Sequence, residues 1–205
     1  MKNLFFSLVI LMSAFAVQAS SYTPAEAPQP PRTDDGRIEI EAVFWYGCPF
    51  CYQLEPGVQA MKRSLPADVE IFHVPAPLSP AWAVHARSHH IAKELGILDQ
   101  VHQPMFDRLN ETHGRGLTEM NQLAEFFADY GVDPEKTLAM ADNERVMNAL
   151  RADYERLSAY GLREVPALIV DGKYVVTARA AGGLREMVEQ ALALVEQARQ
   201  DKASR

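Results

Sequence analysis

The stretch that decides the fold is IEIEAVFWYGCPFC, residues 38–51, and it contains the only two cysteines of the chain. Its apolar part predicts a central strand covered on both faces. Gly47 ends that strand, and Cys48-Pro49 has the pattern of a helix start, because the missing N–H of proline costs nothing at the first helical position. The Cys48 sulfur is therefore expected where outward-pointing N–H groups and the helix dipole favour a thiolate. Cys51 follows one turn later, so the pair can close and reopen a small disulfide ring.

A Cys-x-x-Cys pair also has three other interpretations: a structural disulfide, part of a zinc site, or a cysteine nucleophile with a histidine base. A bridge over so few residues removes little loop entropy from the unfolded chain. His85 and His89 could complete a set of four zinc ligands, but 33 residues separate Cys51 from His85, where a zinc finger has roughly 12 to 15. A Cys-His hydrolase needs only one cysteine. The pair is therefore interpreted as redox-active, and no metal or cofactor is expected.

The composition is that of an ordinary globular chain, with 205 residues, 48% hydrophobic and 23% charged. This length suffices for one good core, or for a core with an inserted lobe. The net charge of −7 gives no sign of a nucleic-acid surface. No nucleic-acid partner is therefore expected.

Residues 1–19 have the pattern of a secretory signal peptide, because Lys2 precedes an apolar run over residues 4–17 and a small-residue cleavage site ending at Ala19. The run of 14 residues is shorter than the roughly 20 that a membrane span needs. We expect cleavage after Ala19 and export. Outside the cytosol thiols are oxidised unless something maintains them, so this lone pair indicates a redox catalyst that acts on other proteins.

The predicted elements after the signal peptide begin with an extended, proline-rich leader at residues 20–36, which has room for one edge strand. The segment 37–78 is predicted to form the first part of an α/β domain. It contains the strand before the cysteines, a helix from Pro49 to about residue 64, and a second buried strand over 69–74. A helix between two strands predicts that they are parallel.

Residues 79–160 have a helical period throughout and are predicted to form an inserted helical domain. Four helices are expected there. They cover residues 82–95, residues 99–109, a segment capped by Thr118, and a long helix opened by Asp133-Pro134 that runs through Val146, Leu150, Tyr154 and Leu157 on its inner face.

The α/β pattern resumes over residues 161–200, the second part of the domain, and is followed by a tail at 201–205. A strand is predicted over 167–170, a two-residue hairpin turn at Asp171-Gly172, and a returning strand over 174–176. The final helix is predicted to bury one stripe formed by Leu184, Met187, Val188, Ala191, Leu192 and Val195.

Val165-Pro166 stands directly before the strand at 167–170. Proline cannot donate a ladder hydrogen bond, so at this position it is either an ordinary edge marker or a cis proline held for function.

The segments 44–51, Val165-Pro166 and 171–174, together with the helical insert, resemble the DsbA family of periplasmic thiol:disulfide interchange proteins, and the resemblance covers about residues 36–200. It implies an α/β fold, namely a thioredoxin-like fold with an inserted α-helical domain. It also implies that Cys48 is the attacked sulfur, that Cys51 is its buried partner, that Pro166 is cis and packs against the disulfide, and that Val165 offers its backbone to an extended substrate peptide.

Two departures from the family pattern concern the tuning of the site. The family usually has Pro-His between the cysteines, whereas this chain has Pro49-Phe50, which removes a positive charge and a donor near the nucleophilic sulfur. Many relatives carry a buried glutamate six residues before the first cysteine, where this chain has Ala42. Glu41 is one position away, and strand alternation should point it to the other face.

The predicted function is donation of the disulfide to unfolded or reduced exported proteins by a periplasmic monomer, which a membrane quinone-linked partner would re-oxidise. A disulfide reductase or isomerase, and a peptide-binding chaperone that uses the same groove, remain alternatives. Trp45 and Tyr46 flank the pair and either line a groove or simply pack. The six histidines are interpreted as ordinary surface or interface residues: His73, His85, His89, His90, His102 and His113.

Overall fold

The computed structural model describes residues 21–204, so the predicted signal peptide at 1–19 lies outside the described residues. Five strands of this range form one sheet in the order β1-β5-β4-β2-β3. The strands are β1 (Thr23–Pro24), β2 (Ile38–Phe44), β3 (Val69–Pro75), β4 (Ala167–Val170) and β5 (Tyr174–Thr177). The helices are α1 (Pro49–Ser64), α2 (Pro80–Glu94), α3 (Leu98–Glu111), α4 (Met120–Ala128), α5 (Pro134–Ala139), α6 (Glu144–Ala159), α7 (Ala178–Ala181) and α8 (Leu184–Ala203).

Strand β2 is the centre of the sheet, and all seven of its residues are buried. It pairs in parallel with β3 and antiparallel with β4. The parallel pairing across α1 and the burial of both faces are confirmed. Helices α1 and α8 pack on one face of the sheet, where Val58, Met187 and Val195 share a core cluster with Ile40 and Leu168.

Helices α2 to α6 all lie between β3 and β4 in the chain and fall within the range predicted for the inserted domain. The prediction of four helices is wrong, because the segment opened by Asp133 forms two. Asn143 accepts hydrogen bonds from the backbone N–H groups of Arg145 and Val146 and so caps a new helix. Tyr154 was placed on the inner face but is 53% exposed.

The start of α4 also differs from the prediction, since Glu119 and not Thr118 is its N-cap. The Gln122 side chain accepts hydrogen bonds from the backbone N–H groups of both residues, which fixes the helix start one residue later.

The hairpin between β4 and β5 is confirmed, but its two-residue length is wrong. Val170 is paired with Tyr174, so the loop has three residues, and the Lys173 N–H donates to the Val170 carbonyl at 3.0 Å. Gly172 has φ +65°, and a Cβ there would lie 2.2 Å from the carbonyl oxygen of Gln29. The leader thus runs directly against this turn, which only glycine permits.

The leader forms the predicted edge strand, because β1 pairs antiparallel with β5. On α8, Leu192 was expected in the buried stripe but is 39% exposed, whereas Leu194 and Ala198 are buried. No helix within residues 21–204 is long and apolar enough to cross a membrane.

Candidate active site

Cys48 is the N-cap of α1, at the point where the chain leaves β2 and Pro49 occupies the first turn. Its backbone is extended, with φ −91° and ψ 116°, and its sulfur accepts a hydrogen bond from the Cys51 N–H at 3.3 Å. Both cysteines are in the thiol form and buried, while Pro49 and Phe50 between them are exposed. The first turn of α1 therefore presents its free N–H groups to the Cys48 sulfur, as the sequence predicts.

The two thiols have opposite acidities. A hydrogen bond from the Cys51 thiol lowers the pKa of Cys48 to about 7, against the effect of burial, and the backbone N–H groups of Cys51 and Phe50 act in the same direction. Burial, followed by the interaction with Cys48, raises the pKa of Cys51 well above its ordinary value. The pair therefore keeps its negative charge on Cys48 and its proton on Cys51.

The segment before β4 faces the cysteines. The Val165-Pro166 peptide bond is cis, as expected. The Cys48 thiol lies 3.7 Å from the Val165 carbonyl oxygen. Pro166 is buried and lines a small cavity together with Cys51 and Ala42. The two segments that the sequence singled out are thus brought together from opposite ends of the chain.

The surface beside Cys48 is apolar, because Phe50 is 60% exposed. Trp45 is fixed next to it, since its indole stacks on Trp82 with ring centroids 4.8 Å apart and its Nε1–H donates to His85 Nδ1 at 2.9 Å. The other ring nitrogen of His85 lies 2.9 Å from the Gly116 carbonyl oxygen. Trp45 is therefore held in place by stacking and by one hydrogen bond, and it packs against the core cluster that contains Cys48 and Cys51.

The glutamate positions behave as the strand alternation predicts. Glu41 is fully buried on the face away from the cysteines, where Arg156 Nη2 donates to it at 2.7 Å and the Tyr160 hydroxyl at 2.5 Å. Ala42 faces the Cys51 cavity. The carboxylate in that cavity belongs to Glu55, one helical turn after Cys51, and the sequence analysis missed it. The spacing of four residues on α1 was the available signal.

Glu55 is 3% exposed and is held by three side chains. His73 Nε2 lies 3.0 Å from its Oε1, Gln59 Nε2 lies 2.6 Å from it, and His102 Nε2 lies 3.4 Å from it. Burial alone would raise the pKa of this carboxyl, but the adjacent His102 and His73 side chains lower it to about 2. Glu55 is therefore an ionised group within the protein.

The surface interpretation of the histidines is wrong for most of them, because four are buried and His73 is partly buried; the four are His85, His89, His90 and His102. Tyr46 is buried with them, and its hydroxyl lies 2.8 Å from His102 Nδ1 and 3.1 Å from His89 Nδ1. Tyr46 thus packs and does not line a groove. Only the fold supplies these partners, so the sequence could not reveal them.

Known proteins resemble this chain over most of its length. Residues 82–190 match the model of the DSBA-like thioredoxin domain. The thiol:disulfide interchange protein DsbA of Pseudomonas aeruginosa is 32% identical, covering 97% of this chain and 98% of the relative. The protein of the same name from Azotobacter vinelandii is 33% identical, covering 91% of each chain.

Solved structures agree with this relationship. A crystal structure of Pseudomonas aeruginosa DsbA has a TM-score of 0.83 with 31% identity, covering 90% of this chain and 95% of that one. The predicted α/β, thioredoxin-like fold is confirmed. The matching sequence, the fold and the helix-capping cysteine pair together establish that this chain belongs to the DsbA family.

Proposed function

We propose that this protein is a thiol:disulfide oxidoreductase that donates a Cys48-Cys51 disulfide to reduced, exported substrate proteins. The observation that carries the proposal is the position of Cys48 as the N-cap of α1, with its sulfur 3.3 Å from the Cys51 N–H. The pKa of Cys48 is lowered to about 7 there, and burial raises that of Cys51. Such a pair has one sulfur suited to leave or be attacked as a thiolate and one suited to hold a proton.

The first step begins when a substrate thiolate attacks the Cys48 sulfur of the oxidised pair. A bond forms between the two sulfurs, the Cys48-Cys51 bond breaks, and the electron pair goes to Cys51. Because burial raises the pKa of Cys51, its sulfur then takes up a proton. The products are a mixed disulfide at Cys48 and a neutral thiol at Cys51.

The second step releases the substrate. A second substrate thiolate attacks the substrate sulfur of the mixed disulfide, and Cys48 leaves as a thiolate that accepts from the Cys51 N–H at 3.3 Å. The substrate has lost two electrons and gained a disulfide, and the protein holds the dithiol. Stabilisation of the Cys48 thiolate favours the reduced protein, and so favours donation of the disulfide over its withdrawal.

Substrate contact is assigned to the backbone at Val165-Pro166 and to the exposed tip of α1. The Val165 carbonyl oxygen is 3.7 Å from the Cys48 sulfur, so a peptide pairing with this segment would bring its cysteine to the reacting atom. Pro166 has no N–H to compete for the sulfur. Pro49 and Phe50, which stand between the two cysteines, complete the apolar surface and tune the pair.

The setting of the reaction is inferred from the rest of the chain. We place the protein in the periplasm on the basis of the signal-peptide pattern at 1–19. By analogy with the family, we propose that it acts as a monomer and is re-oxidised by a membrane quinone-linked partner. Residues 37–78 and 161–200 are assigned to the thioredoxin-like domain and 79–160 to the inserted helical domain. The position of helices α2 to α6 between β3 and β4 supports this division.

The test compares Cys48→Ser with Cys51→Ser in oxidation of a reduced, unfolded protein that has two thiols. Both variants should lose turnover. In Cys51→Ser, Cys48 can first be converted to a mixed disulfide with a small thiol, and the substrate should then displace that thiol; Cys48→Ser cannot undergo this exchange. A peptide-binding chaperone would keep its effect on folding yield in both variants. Residual oxidation by Cys48→Ser would refute the assignment.

A further inference from the structure

Three side chains that the proposed redox chemistry does not use as reacting groups converge next to the site. Glu55 comes from α1, His73 from β3 and His102 from α3, and one donor atom from each lies within 4.8 Å of the other two. Two imidazole nitrogens and a carboxylate oxygen form a ligand set that suits zinc and related transition ions. We propose that Glu55, His73 and His102 bind one divalent transition-metal ion, of which Zn²⁺ fits the ligand set best.

The distances agree with this proposal. Ligands at about 2.0–2.1 Å from a tetrahedral zinc are about 3.3 Å from one another. His73 Nε2 is already 3.0 Å and His102 Nε2 3.4 Å from Glu55 Oε1. Only the two histidine nitrogens have to approach each other, from a separation of at most 4.8 Å. Small side-chain rotations would therefore form the site.

An independent observation concerns His102. This residue is 8% exposed, and its Nε2 has no hydrogen-bond partner of proper geometry within residues 21–204, although Glu55 Oε1 lies 3.4 Å away. Its other nitrogen, Nδ1, lies 2.8 Å from the Tyr46 hydroxyl. Metal-binding histidines characteristically have their second nitrogen held in this way, which fixes the ring and directs the first nitrogen to the ion. A buried polar nitrogen without a partner is costly, and a metal ion would supply that partner.

An ion could reach these residues from solvent. His73 and His102 line a surface cavity of about 320 Å³, which would also hold a water in the fourth position. Lys62 on the cavity wall disfavours a cation, whereas Asp99 on the same wall favours one. Neither Cys48 nor Cys51 lines this cavity.

The test uses untagged, oxidised protein, in which the closed disulfide removes both thiols as competing ligands. Titration with Zn²⁺ by calorimetry, and with Co²⁺ by visible absorption, should give one ion per chain and raise the thermal unfolding midpoint. Two single variants each remove one ligand: Glu55→Gln, which keeps the side-chain shape, and His102→Ala. Each should weaken metal binding by at least about tenfold. His113→Ala, which changes an exposed histidine, is the matched control and should bind like the parent.

Binding that is absent in the parent, or that persists unchanged in both Glu55→Gln and His102→Ala, would overturn the proposal. Because the measurement involves no substrate, its failure is independent of whether the protein transfers disulfides.

Discussion

Replacing Cys51 with alanine should raise the pKa of Cys48 towards its ordinary value. The hydrogen bond from the Cys51 thiol is the largest contribution that lowers the Cys48 pKa from 9.0 to about 7, and the substitution removes it. The backbone N–H of residue 51, which lies 3.3 Å from the sulfur, remains. The shift is therefore bounded by the 2 units between these values, or about 2.7 kcal/mol.

The magnitude has a direct readout. With a pKa of about 7, half of Cys48 is thiolate at pH 7, and at 9.0 the fraction is roughly one in a hundred. The rate at which iodoacetamide alkylates the reduced protein is measured across pH 4 to 10, and the pH at which this rate inflects is determined for the parent and for Cys51→Ala. The position of the inflection is the measure, because intrinsic nucleophilicity itself rises with pKa.

The parent should inflect near pH 7 and Cys51→Ala between 7 and 9. An inflection of the parent near 9, or an identical inflection in both proteins, would show that the Cys51 thiol does not stabilise the Cys48 thiolate. Peptide mapping of the parent provides the control, since Cys48 should be modified before Cys51.

Three further predictions concern redox poise, substrate release and acid stability. Phe50→His should place a hydrogen-bond donor near the Cys48 sulfur and raise the reduction potential by roughly 30 mV if the added interaction is about 1.4 kcal/mol. Equilibration with glutathione measures the potential, and an unchanged or lower value would contradict the prediction. Pro166→Thr adds a backbone N–H and a hydroxyl beside the sulfurs, so mixed disulfides through Cys48 should accumulate and appear as extra bands on non-reducing gels. These bands should be absent from the Pro166→Thr, Cys48→Ser double variant. Normal turnover without such bands would show that Pro166 only marks the edge of a strand. Burial lowers the pKa values of His89 and His102, so below pH 6.5 the unfolded chain binds protons that the native protein does not. The free energy of unfolding should therefore fall by up to about 1.4 kcal/mol per pH unit for each histidine. Urea unfolding at pH 7 and 5.5 tests this, and equal stabilities at the two pH values would refute it.

The elements next to the cysteines could be predicted closely from the sequence. The predicted start of β2 and the predicted bounds of α1 agree with the structure, because an apolar strand and a proline at the first helical position are strong local signals. Strand β2 ends at Phe44, however, and not at the predicted Gly47. The approach of Val165 and Pro166 to the pair depends on tertiary structure and came from the family resemblance, not from local pattern.

The errors lie where two local interpretations compete. The period of hydrophobic residues continues from α5 into α6, and only the hydrogen bonds of Asn143 show that a new helix begins there. The hairpin loop has three residues, and its Gly172 carbonyl accepts a hydrogen bond from the Gln29 N–H of the leader, a contact that the local turn signal does not contain.

The buried polar groups were the least predictable part of the site. Glu55, His73 and His102 are separated in sequence, and each alone has the appearance of a surface residue. Their burial is stabilised by one another, by Tyr46 and by Gln59, which come from several segments of the chain, so no property of a single segment indicates it.

The central claim is that the Cys48-Cys51 disulfide passes to a substrate through Cys48. Mass spectrometry of oxidised protein mixed with an excess of a reduced two-cysteine peptide tests it most directly. We predict that one peptide per protein molecule loses two hydrogens, that the protein gains two, and that peptide fragments of the acid-quenched intermediate are linked to Cys48. Failure of the peptide to be oxidised, or an intermediate linked to Cys51, would contradict the account.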